Sequence, residues 1–348
     1  GCASENGMEF KYSLSLLFSN MGHAVKIFFW IVISLVLSLA IGAAIVLPIW
    51  NVIESTTEVA SCMVAIKDGL SAVWNGGLSI RAAASDVLTN LRDGFVCIFS
   101  QNVGATLGLI FAAVFVYAFY CFVFGLSYYT NADVINNLMA SNMRYGFASN
   151  MALNFKKCCK YSAARLTITL PIDLVFAAIM LAILFGLFGE IGYFVLPILL
   201  FVGIVICSLR ATLLAGWLPR MLFHPEESVY TSFTRSLTYV KSNVDGLFKS
   251  YAVTFTIVYL FTTAFAIPTG GLMSLVLPSM YYFMLRAIEL IGYYKTKGFS
   301  FYTDATTVIN TVEYGFRAEQ QAEDFDYDAS GESQITIDEY VQDKRKDD

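Results

Sequence analysis

Apolar and polar positions fall in long blocks along this chain. Six apolar runs stand out: Ile27–Trp50, Val103–Tyr129, Leu166–Phe188, Tyr193–Trp217, Tyr251–Ile267 and Leu272–Tyr294. Each is close to the roughly 20 residues that a helix needs to cross a ~30 Å hydrocarbon layer. The first run is too long for the apolar region of a signal peptide and lacks a small-residue cleavage site, so it is expected to stay as a membrane helix. Before it, residues 9–26 scatter Leu14, Leu16, Leu17, Phe18 and Met21 among Ser, Asn and Gly. That pattern suits a short helix lying in the membrane interface. Comparable amphipathic segments precede the third and fifth runs.

Residues 51–102 carry two apolar stripes at helical spacing on either side of Asn75-Gly76-Gly77. Val59, Cys62, Met63, Ile66, Leu70 and Val73 form the first; Leu78, Val87, Leu88 and Leu91 form the second. They predict an outer two-helix hairpin. The expected fold is all-α and polytopic, with about six transmembrane helices in three hairpins and interfacial amphipathic helices. Its parts are an N-terminal interfacial segment (1–26), a membrane domain (27–298) and a tail (299–348).

The basic residues orient it. Lys11 and Lys26, then Arg144, Lys156, Lys157, Lys160 and Arg165, then Arg220, Arg235, Lys241 and Lys249, then Lys295 and Lys297 all mark one side. The other side has Lys67, Arg81 and Arg92 in its long loop. The positive-inside rule puts both termini in the cytosol.

Composition agrees. The chain is 57% hydrophobic and 14% charged, against about 25% charged in soluble domains. Its net charge of −5 conceals a balance of −9 in residues 299–348 and +4 in everything before them. Asn51, Asn75, Asn90 and Asn102 lack the glycosylation spacing, which favours a bacterial plasma membrane.

Two stretches repeat. Leu209–Trp217 and Leu285–Tyr293 are identical at five of nine positions, and each follows a Val-Leu-Pro. With the amphipathic segments, this reads as three units of interfacial helix plus hairpin, all inserted the same way. Parallel repeats occur in transporters.

Only four charges lie well inside the apolar runs: Asp173, Arg210, Arg286 and Glu289. Asp173 is seven residues after Leu166, and Arg210 is seven before Trp217. In an antiparallel hairpin they share a depth of about 10 Å, so an ion pair is expected. Arg286 and Glu289 stand i, i+3 on one helix and can pair locally. The four form a candidate intramembrane polar cluster in the cytosolic third of the membrane.

Other chemistry is thin. His23 and His224 have no second ligand at a useful spacing. Cys62 and Cys97 share the outer loop, but a regular hairpin leaves them out of disulfide reach. The tail carries an EF-hand-like stretch, with Asp326, Asp328, Ser330 and Glu339 as its oxygen ligands. Ser333-Gln334 make that loop two residues too long, so a solvated acidic tail is the preferred reading. No catalytic or cofactor motif is found, and no nucleic-acid partner is expected.

Two functional readings stay open. One is a non-enzymatic protein that binds or transports a small anionic, zwitterionic or lipid-like molecule from the cytosolic side. The other is a membrane scaffold or assembly subunit that engages a protein partner through the outer hairpin or the acidic tail.

Overall fold

The computed structural model describes residues 8–309, apart from 55–56, 75–85, 88, 91, 95, 97–99, 101–102, 142–145, 192–194, 267–268, 270 and 305–306. The turn at Asn75–Gly77, Cys97 and the EF-hand-like stretch fall outside these residues. The elements are α1 (Met8–Ser19), α2 (Met21–Glu54), α3 (Thr57–Trp74), α4 (Val103–Met139), α5 (Phe147–Leu153), α6 (Phe155–Ile191), α7 (Val195–Leu214), α8 (Trp217–Phe223), α9 (Val229–Ala266) and α10 (Leu272–Thr296). A two-stranded hairpin follows, β1 (Phe301–Tyr302) and β2 (Val308–Ile309).

Among the described residues, five helical stretches are long and apolar enough to cross a membrane: Met21–Trp50, Val103–Met139, Phe155–Leu184, Val195–Phe223 and Val229–Phe265. The protein is an all-α, multi-pass membrane protein. α10 spans 25 residues but is less apolar, because it carries Arg286, Glu289 and four tyrosines. Every residue of it from Tyr282 to Ile291 is buried. A helix segment buried on all sides needs no lipid-facing stripe, so the polar residues of this segment answer to neighbouring helices.

The long helices form a ring in chain order. α2 packs on α4, α4 on α6, α6 on α7, α7 on α9, α9 on α10, and α10 back on α2. α10 also touches α4, which makes it the hub. Where α4 and α6 cross, Gly125 lies under Ser162, whose hydroxyl donates to the Phe122 carbonyl at 2.6 Å. Small residues let helix backbones approach in lipid, where no hydrophobic force drives helices together.

The packing is uneven. Among the described residues, the three buried clusters sit at the end that carries the basic connectors. One joins Leu16 and Leu17 of α1 to Ile27, Ile135, Phe283, Leu290 and Phe301. Another gathers Tyr129, Tyr161, Trp217 and Leu218. The third is Ala215, Leu247, Tyr251, Leu285 and Ile288. Toward the opposite end Leu39, Phe111, Val175, Phe201 and Leu260 are exposed, as a lipid-facing surface should be.

Helix boundaries differ from the apolar runs in an instructive way. The amphipathic segments before the third and fifth runs are continuous with them in α6 and α9, which are 37 and 38 residues long. At 1.5 Å per residue such helices reach about 55 Å, well beyond the hydrocarbon. α1 is separate because Asn20 ends it, its side-chain amide donating back to the Leu16 carbonyl at 2.9 Å. α1 packs on α10 and is tied there by Glu9, which meets Lys295 Nζ at 2.8 Å. The segment after Lys297 also stays on the bundle at first, with Phe301 buried edge-on against Tyr12 and Tyr294.

Gly216 and Gly292 occupy equivalent places in the two similar stretches. A Cβ on either would lie 2.6 Å from Tyr239 of α9, at the ring edge for one and the hydroxyl for the other. One tyrosine is thus clasped by both.

Candidate functional site

Two polar centres lie in the helical bundle. Asp173 of α6 and Arg210 of α7 form the first, with Nη2 3.0 Å from Oδ2. Tyr117 of α4 donates to the same oxygen at 2.7 Å. These three helices are consecutive in the ring, and the matched depth of the two charges brings them together. The carboxylate is 9% exposed and the arginine 27%. Cys121 and Cys207 stand within electrostatic reach of both charges.

The second centre is built on α10. Arg286 Nη1 lies 2.5 Å from Glu289 Oε2, with side chains 5% and 1% exposed. The contact is poorly aligned: Arg286 Nε and Nη1 and both Glu289 oxygens lack a hydrogen-bond partner. Arg165 of α6 joins them. Its guanidinium stacks on the Tyr128 ring at 3.7 Å, and Arg286 approaches the same ring at 5.5 Å. Arg165 Nη1 and the hydroxyls of Tyr161, Tyr251 and Tyr282 are also buried without partners. Among the described residues Arg165 makes no ion pair. Its electrostatic neighbours include Tyr128, Tyr161, Tyr282, the like-charged Arg286 and the carboxylate of Glu289.

This centre holds two guanidiniums and one carboxylate. A buried charge without a counter-ion is costly, and buried polar groups without hydrogen bonds are rare in folded proteins. The arrangement therefore carries one surplus positive charge beside several buried donors that have no hydrogen-bond partner.

The structure brings Asp173 to Arg210 and Arg286 to Glu289, and among the described residues no hydrogen bond or ion pair joins the two pairs. Sequence reasoning missed Arg165, Tyr117, Tyr128 and Tyr161. In the sequence Arg165 reads as a connector charge because it directly precedes the apolar run. In α6 it lies one helical turn after Tyr161, and that spacing was the available signal.

Elsewhere, His23 is buried and within 3.1 Å of Asn131 Oδ1. His224 meets Glu226 at 3.3 Å. On the connector between α8 and α9, Glu227 takes two bonds from Arg220, at 2.8 and 2.6 Å, and one from Arg235 at 2.7 Å. Ser232 adds a fourth at 3.1 Å. The Arg220 hydrogen bonds, helped by Arg235, hold the Glu227 carboxyl down at about 2.

Among the described residues, apolar grooves open on the bundle surface. One, of about 750 Å³, runs between α2 and α4 and is lined by Leu39, Gly42, Ala43, Ala113, Tyr117 and Tyr120 among others. Another, of about 670 Å³, lies between α2 and α5, with Lys26, Trp30, Phe147 and Phe155 in its wall.

No protein-family model, no curated protein and no solved structure matches the chain. The functional reading therefore rests on geometry alone.

Proposed function

We propose that this protein is a non-enzymatic, six-span membrane protein that binds, and in transport would pass, a small anionic or zwitterionic or lipid-like molecule from its basic side. The candidate polar cluster Asp173, Arg210, Arg286 and Glu289 is then two unlike sites. Arg286 and Glu289, joined by Arg165, form the binding centre; Asp173 and Arg210 lock helix register beside it. The observation that carries this reading is the surplus positive charge of the Arg165–Arg286–Glu289 group, set among unpartnered buried donors.

The test is thermal unfolding of the purified protein in mild detergent against inorganic phosphate, glycerol phosphate and short-chain phospholipids. A ligand that binds only the folded state raises the transition temperature. An anion should do so, and Arg165→Gln should remove the effect. No shift with any of these compounds would end this reading.

One observation favours the scaffold alternative: the second centre is sealed, with Arg286 only 5% exposed. A packed core that never opens would make these charges purely architectural and leave function to the outer hairpin or the acidic tail.

Orientation belongs to the same proposal. The basic connectors, α1, α5, α8 and both termini are placed in the cytosol of a bacterial plasma membrane. Impermeant thiol reagent on intact cells should label Gly76→Cys and spare Ser330→Cys in a cysteine-free background. The reverse pattern overturns the orientation.

A further inference from the structure

We infer that the occupant of the second centre is an anionic phospholipid of the basic-side leaflet, with its phosphodiester on Arg165 and Arg286 and an acyl chain in the α2–α4 groove. This rests on the binding reading above and names its substrate class. Three observations lead to it.

The charge fits first. A phosphodiester carries one negative charge, which matches the single surplus positive charge of Arg165, Arg286 and Glu289. Its oxygens accept hydrogen bonds in the geometry that guanidinium favours. The buried donors without a hydrogen bond or ion-pair contact are Arg165 Nη1, Arg286 Nε, and the hydroxyls of Tyr161, Tyr251 and Tyr282.

The second observation is a connection between groove and centre. Tyr120, in the groove lining, stacks on Phe124 at 5.8 Å. Phe124 meets Tyr128 at 5.4 Å and Tyr282 at 4.8 Å, and Tyr128 carries the Arg165 guanidinium at 3.7 Å. Tyr120, Phe124 and Tyr128 are spaced i, i+4, i+8 on one face of α4, and all three are half-buried. They form an aromatic ladder leading from lipid to the arginines over about 12 Å of helix.

The third is direction. From the groove, the ladder runs toward the end that bears the basic connectors. A lipid seated along it has its headgroup toward the basic side and its chain toward the membrane interior, as a lipid of that leaflet does. A free anion would need no such groove, and a zwitterionic lipid would bring its own ammonium toward the two guanidiniums.

The experiment is native mass spectrometry of the full chain released from mild detergent, with dioleoyl phosphatidylglycerol, dioleoyl phosphatidylcholine and glycerol phosphate as probes. The wild type should retain one phosphatidylglycerol with about a tenfold preference over phosphatidylcholine. Arg165→Gln should abolish that preference, and Arg165→Lys should restore part of it. Ala113→Trp fills the groove from an exposed position and so does not strain the core. It should cut phosphatidylglycerol retention about tenfold and leave any glycerol phosphate binding unchanged.

Retention of phosphatidylglycerol unaffected by Ala113→Trp overturns the acyl slot. Glycerol phosphate binding at Arg165 without lipid preference makes the ligand a free anion; the inference then fails while the proposed function stands. Binding of neither probe overturns both.

Discussion

The two polar centres are made of the same chemistry and are finished to different degrees. At Asp173 the charges balance, and one carboxylate oxygen receives both Arg210 at 3.0 Å and the Tyr117 hydroxyl at 2.7 Å. At Glu289 two arginines face one carboxylate, and neither of its oxygens has a well-formed hydrogen bond. The balanced pair also retains some exposure, while the unbalanced one is enclosed. Burial raises the cost of every unmet charge. The incomplete site is thus the more expensive of the two, and it is the one that a ligand would complete. A third group sharpens the contrast. Glu227 is also shared by two arginines, Arg220 and Arg235. It lies on a connector at the water's edge, where all its partners are in place and a surplus charge is solvated.

Removing Glu289 should have the largest effect. Glu289→Leu leaves Arg165 and Arg286 as like charges in a buried site, at a cost of about 3–5 kcal/mol. Thermal unfolding in detergent should show a correspondingly lower transition. Arg286→Leu in the same chain should recover part of the loss, since one carboxylate and one guanidinium are then removed together. A Glu289→Leu variant as stable as wild type would mean that water already reaches this centre.

The balanced centre should respond less and in a different pattern. Asp173→Asn and Arg210→Leu each break a pair whose arginine is partly exposed, so about 1–3 kcal/mol is expected for each. The double variant should lose less than the sum. The parallel cycle of Asp173→Asn with Arg286→Leu should be additive, because Asp173 pairs with Arg210 and not with the hub helix. Coupling to Arg286 but not to Arg210 would contradict the geometry. Tyr117→Phe removes one hydrogen bond to a charged acceptor, an effect of about 1.5 kcal/mol.

Much of this was legible in the chain, for reasons that separate the two centres. Asp173 and Arg210 announce each other because consecutive antiparallel helices turn sequence distance into depth. Arg286 and Glu289 do so because i, i+3 is a local relation. What completes the second centre comes from elsewhere: Arg165 and Tyr161 from α6, Tyr128 from α4, Tyr251 from α9. Apart from the one-turn spacing of Tyr161 and Arg165, no sequence spacing relates these positions, and only the closed ring of helices makes them neighbours. Arg165 was hidden for a further reason. Hydropathy marks where lipid contact begins and not where a helix begins, so the eleven residues of α6 before Leu166 read as an amphipathic segment outside the span. The role of α1 was ambiguous in principle. Leu16 and Leu17 are buried on α10 while Phe18 is 62% exposed, and an apolar face reads the same whether lipid or protein covers it.

The Glu227 group gives the pH-dependent arm of the comparison. Its carboxyl sits at about 2 in the folded protein, chiefly through the Arg220 hydrogen bonds, against about 4.3 for a free glutamate. A depressed carboxylate contributes stability that is fully present above the unfolded value and lost as pH falls through the folded one. The loss should therefore develop between about pH 4.5 and pH 2, and Glu227→Gln should flatten that part of the profile. The exposed Arg235 arm is screened by solvent, so a contribution of about 1 kcal/mol is expected. An identical acid profile for the variant would mean that the connector opens before the bundle does.

The smallest expected effect is the most discriminating. Arg165→Met removes the surplus guanidinium and keeps an unbranched side chain that fills similar space against Tyr128. If the second centre were finished, losing one of its charges would strand a partner and cost several kcal/mol. Among the described residues Arg165 makes no ion pair, it is repelled by Arg286, and the Glu289 carboxylate it shares is already held by Arg286. Replacing a buried, uncompensated charge with an apolar group is often neutral or stabilising. The stacking on Tyr128 that is lost amounts to about 1–2 kcal/mol, and relief from Arg286 and from desolvation offsets it. The unfolding transition of the ligand-free protein should therefore stay where it is or rise, while the stabilisation by an anionic ligand disappears. Stability kept and binding lost is the signature of a residue held for a ligand. A transition lowered as far as that of Glu289→Leu would show that Arg165 belongs to the architecture, and the two centres would then differ in geometry but not in purpose.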